Sequence, residues 1–104
     1  MRFDEALEIF FELLNEMPSE HKAQLKNAIA VAYLDMENYE EAMNFINQSI
    51  EINPNYAEAY INKAEILFEQ DKMNEGCIEV ENAKRIGLDL NNPDILDAIE
   101  KCKD

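Results

Sequence analysis

With 104 residues the chain holds one domain at most, near the lower end of the lengths that bury a self-sufficient core. Its 23 acidic against 9 basic side chains leave a formal net charge of −14, which repels phosphate backbones and anionic headgroups and argues against nucleic acid and membrane surfaces as partners. A hydrophobic content of 47%, arranged periodically, argues against a disordered acidic chain; with only two glycines and three prolines, the expectation is all-α.

In chain order, residues 3–17 place Phe3, Ala6, Leu7, Phe10, Leu13, Leu14 and Met17 at helical spacing, and Pro18 ends that helix. Ser19 offers an N-cap for a second helix running to about Met36, and the pair Glu37 and Asn38 turns the chain. A third helix covers 39–52 and is broken by Asn53, Pro54 and Asn55. Helices at 56–69 and 73–86 follow, the latter closed by Gly87 in a left-handed cap. Residues 89–93 form a loop, and a last helix covers 94–102.

The chain repeats itself. Asn38-Tyr39-Glu40-Glu41-Ala42 has its counterpart at Lys72-Met73-Asn74-Glu75-Gly76, 34 residues on, and Ala30 and Tyr33 map to Ala64 and Leu67 at the same spacing. Upstream, Phe3-Asp4-Glu5-Ala6 matches Tyr39-Glu40-Glu41-Ala42 and Pro18 matches Pro54 at a spacing of 36, which places two extra residues in a turn around residues 20–22.

Ala30, Tyr33, Tyr39, Ala42, Ile46, Ile50 and Pro54 resemble the tetratricopeptide signature: a small and an aromatic residue in one helix, aromatic-x-x-Ala opening the next, and a closing proline. Ala57, Tyr60, Ala64, Leu67, Met73, Gly76, Ala83 and Gly87 fit the following unit less fully. Leucine stands at 88 in place of proline, and Lys26 and Lys63 occupy positions where the pattern prefers large apolar residues. The small residues are needed where helices cross closely, with Tyr33, Tyr39, Ile46 and Leu67 filling the neighbouring gaps.

The resemblance implies antiparallel helix hairpins stacked as a short right-handed α-solenoid. Its parts would be the second helix of an incomplete repeat at 3–17, repeats at 19–54 and 55–88, and a capping helix at 94–103. It also implies a concave groove lined by the first helix of each hairpin. Gln24, Asn27, Val31 and Leu34 fall on that face in one unit and Glu58, Ile61, Glu65 and Phe68 in the next, each set within about 80° of arc. Apolar anchors flanked by acids suit a basic or amphipathic peptide of another protein. Asn62 resembles an asparagine with which some family members hold a peptide carboxylate, but Glu58 and Asn62 stand where such clamps are basic, which argues against that use. Alternatively, the apolar face is covered by the final helix or by a neighbouring chain.

The apolar residues of the helix at 3–17 sweep about 200° of arc, wider than a helix covered on one side needs. Either a second copy completes this half repeat, as a homodimer through Phe10, Phe11 and Leu14, or the missing helix lies upstream of Met1 in a longer protein.

Catalysis is not expected. No Gly-rich phosphate loop, HExxH, GxSxG or Cys/His constellation is present, and adjacent acids such as Glu40 and Glu41 point about 100° apart on a helix. No cofactor or metal is expected. His21 reads as a solvated turn residue. Cys77 and Cys102, far apart and without CxxC spacing, read as a packed helix residue and a terminal side chain, not as a disulfide framework. An acidic N-terminus unlike a signal peptide, with no apolar run of membrane-spanning length, sets the expectation of a soluble, cytoplasmic protein.

Overall fold

The computed structural model describes residues 5–9, 12 and 18–103, and among these all regular structure is helical. Residues 5–9 form α1, and Glu12 is helical too. The remaining helices are α2 (Ser19–Asp35), α3 (Tyr39–Ile52), α4 (Ala57–Glu69), α5 (Met73–Ile86) and α6 (Pro93–Lys101). The chain divides into two compact units, Met1–Pro54 and Asn55–Asp104.

The predicted repetition is visible in the backbone. α3 and α5 begin and end 34 residues apart, and so do the ends of α2 and α4. Both hairpins also turn through the same motif. Glu37 and Asp71 adopt left-handed backbone with φ of 59° and 64°. Around the first turn, Asn38 N–H donates to Tyr33 O at 2.9 Å and Glu37 N–H to Leu34 O at 2.9 Å; around the second, Lys72 donates to Leu67 O at 2.8 Å and Asp71 to Phe68 O at 3.0 Å. These are the paired bonds of a Schellman motif, which satisfies carbonyls that a helix end otherwise leaves orphaned.

Several sequence expectations are corrected. Ser19 is the first helical residue and Pro18 takes the cap position. Residues 20–22, expected in a turn, belong to α2, so the extra length upstream of the second hairpin lies in a longer first helix: α2 has 17 residues and α4 has 13. His21 is consequently an exposed helix residue. Pro93 opens α6 instead of closing a loop; its missing N–H costs nothing in the first turn, and the Asn92 side chain accepts from Asp94 N–H at 2.9 Å. Gly87 does have positive φ, 124°, but its ψ of 132° lies outside the left-handed helical region, in backbone that only glycine adopts readily.

In the first unit Leu7 packs with Leu25, Ile29 and Ala32, against Tyr33, Met36 and Phe45. Ala30, Ala42 and Ile46 are fully buried where α2 and α3 cross, and the Tyr33 and Phe45 rings stack with centroids 5.6 Å apart. Lys26, out of place for the pattern, keeps its ammonium 6.0 Å from the Phe45 ring centre and donates to Gln48. Its long stem thus covers apolar surface while the charge is solvated by polar and aromatic neighbours. Ser49, buried in α3, donates its hydroxyl to Ala23 O of α2 at 2.6 Å.

In the second unit Ile61, Ala64, Phe68, Val80, Ala83, Ile95 and Ala98 form one core contributed by α4, α5 and α6. Gly76 lets α5 approach α4 closely: a Cβ there would lie 2.5 Å from Phe68 Cε1 and 3.2 Å from Ala64 O. Lys63 reaches Glu79 of α5 at 3.5 Å, so this second departure from the pattern is an ion pair within the hairpin. The expectation of separate thiols fails: Cys77 of α5 and Cys102, the C-cap of α6, form a disulfide with Cα atoms 5.6 Å apart. Sequence distance hid this because α6 folds back onto the hairpin, and Cys102 falls on the same stripe as Ile95, Ala98 and Ile99.

Candidate functional site

The face of α2 expected to meet a partner is divided by depth. Asn27 is buried, Val31 and Leu34 are half-buried, and Gln24 is exposed. His21, Gln24, Leu25 and Ala28 line a shallow depression of about 280 Å³ at the start of the same helix. Intermediate exposure of Val31 and Leu34 is what an apolar anchor point needs: neither lost in the core nor fully wet.

The corresponding residues of α4 are placed differently. Glu58 is exposed and accepts from the Tyr56 hydroxyl at 3.0 Å, and Asn62 is half-buried. Ile61 and Phe68 are only 2% and 9% exposed, and they share their core with Ile95 and Ala98 of α6. The final helix therefore occupies this face, the covering that the sequence left open as an alternative.

A charged contact completes the seat. Lys101 Nζ of α6 sits 3.5 Å from the Glu65 carboxylate, 3.3 Å from Asp97, and 5.3 Å from the centre of the Phe68 ring. Burial raises the Glu65 carboxyl above its ordinary range, and the attraction of Lys101 offsets only part of that. For Lys101, burial pulls downward, but Glu65 and Asp97 outweigh it and hold the ammonium above its usual value.

Lys101, Ile95 and Ala98 were not among the residues expected at the site. Their signal is the stripe Ile95, Ala98, Ile99 and Cys102, which marks one face of α6 as buried although nothing in its spacing names α4 as the surface covered. Phe10, Phe11 and Leu14, expected at an interface between copies, lie outside the described residues. Among the described residues no group of His, Cys, Asp and Glu is placed to hold a metal, and no helix is long and apolar enough to cross a membrane.

Comparison with known proteins follows the same outline. The tetratricopeptide repeat model matches residues 23–56, and a second model of the same description matches residues 45–78. No sequence among the curated proteins matches significantly. Among solved structures, one described as the TPR2B-domain:pHsp70 complex of yeast Sti1 superposes with a TM-score of 0.80 at 21% identity, covering 95% of this chain and 78% of that one. At that identity the likeness concerns the fold. The two sequence matches together run from the first helix of one hairpin into the second helix of the next, the stretch over which the backbone repeats at 34 residues. The chain belongs to the tetratricopeptide repeat family.

Proposed function

We propose that the chain is a non-catalytic protein-interaction scaffold that takes a peptide or helix of another protein on α2, the first helix of its first complete hairpin. The observation that carries this reading is the half-buried pair Val31 and Leu34, about two turns along α2 from exposed Gln24 on the face that the family resemblance implies lines the groove. The partner is basic or amphipathic: a net charge of −14 attracts cations over the whole surface, and apolar side chains seat against Val31 and Leu34.

Ile61, a natural choice for a groove mutation, is unsuitable because a charge there would enter the core. Val31→Glu and Leu34→Glu are the informative changes. A fluorescein-labelled amphipathic peptide of leucine and lysine, titrated by anisotropy, is expected to bind in a salt-sensitive manner, and each substitution to weaken it by about tenfold. Absence of binding at low salt, or binding indifferent to both substitutions, contradicts the reading.

A further inference from the structure

The α4 face is already occupied, and by chemistry resembling that proposed for the partner. α6 lays Ile95 and Ala98 against Ile61 and Phe68 and puts the Lys101 cation between the Glu65 carboxylate and the Phe68 ring. This apolar-plus-basic pattern makes α6 a substitute ligand. The helix has nine residues, shorter than a helix needs to persist alone in water, so it depends on its attachments. One of them is covalent, the Cys77–Cys102 disulfide at its C-terminal end.

We propose that this disulfide is a redox clasp: closed, it keeps α6 seated on α4; opened by a dithiol reductant, it frees α6 and makes the apolar, acidic face of α4 available to a basic amphipathic segment of another protein. The inference rests on the reading of the chain as a peptide-binding scaffold, since it describes how one face of that scaffold is regulated.

The step is thiol–disulfide exchange. A thiolate of the reductant attacks one of the two sulfurs, forming a mixed disulfide as the Cys77–Cys102 bond breaks, and the other cysteine leaves as a thiolate that takes up a proton. The second thiol of the reductant, deprotonated, attacks the mixed disulfide, releasing the second cysteine and leaving the reductant as its own disulfide. Two electrons and two protons pass from the dithiol to the protein. Ile61 and Phe68 then change from core to open face and half-buried Glu65 loses the cover of Lys101, while the α2–α3 hairpin, which holds neither cysteine, stays as it was.

Amide hydrogen exchange on the full chain, before and after dithiothreitol, tests the clasp directly. The chain has two cysteines, so a thiol reductant acts through this pair alone. Reduction is expected to lower protection across α6 by about tenfold or more, with α2 and α3 unchanged. The double variant Cys77→Ser, Cys102→Ser should show the open pattern without reductant, and circular dichroism checks that it remains folded. Equal α6 protection in oxidised and reduced wild-type chain overturns the proposal, as does failure to find the Cys77–Cys102 cross-link by mass spectrometry of the air-oxidised protein. The leucine–lysine peptide separates the two readings. Tighter binding after reduction supports gating, and equal binding in both states overturns it. Loosening of α6 with no peptide bound in either state upholds the clasp and overturns the scaffold reading instead.

Discussion

Gly76 and Ala42 occupy the same step of the repeat, yet only one of them is free of side chain. The difference lies in the partner: the Phe68 ring lies where a Cβ on residue 76 would point, within 2.5 Å. Gly76→Ala should therefore lose more from overpacking than it gains in helix propensity. The net loss should be about 1–2 kcal/mol, read from the urea midpoint, whereas a surface glycine-to-alanine change in a helix gains about 1 kcal/mol. Glu65 allows a pH test. Its folded-state carboxyl is raised, so ionisation costs stability above that pKa, and the cost is relieved as pH falls through it and absent below the unfolded value. Glu65→Gln is expected to melt no lower than wild type at neutral pH, and the difference should close below about pH 4. A variant that melts lower at neutral pH and recovers in acid would show that the Lys101 pair outweighs burial.

The small residues at the helix crossings and the turn at Glu37 were legible because close approach and chain reversal restrict residue type strongly. Helix ends were legible to within a residue or two where proline, asparagine or glycine marks them. Ser19 misled because Pro18 sets an extended backbone that caps the helix without a side chain, leaving serine one place inside. The disulfide was illegible, and the burial of Ile61 and Phe68 was legible only as one of several alternatives, for one shared reason: both depend on where α6 docks, a tertiary choice that periodicity does not encode. The matching left-handed residues supply a prediction at this scale. Glu37 and Asp71 bear side chains where helices usually end in glycine, so Glu37→Gly and Asp71→Gly should each stabilise their hairpin, by about 0.5–1 kcal/mol in chemical denaturation. Loss of stability in either would mean that the side chain makes a contact worth more than the strain.

For the molecule as a whole, partner binding as proposed rests on charge and on two helix faces. On that reading a surface this acidic would draw basic partners at long range, and the faces of α2 and α4 would decide which of them stay. One face carries half-exposed apolar residues and the other carries its own α6, so binding in the oxidised chain is proposed for α2. Backbone chemical shifts of the isotope-labelled oxidised chain, followed during titration with the leucine–lysine peptide, test this most directly. The account predicts perturbations concentrated at Gln24, Val31 and Leu34 with α4 little affected. Perturbations confined to α3 and α5, or none at saturating peptide, would contradict it.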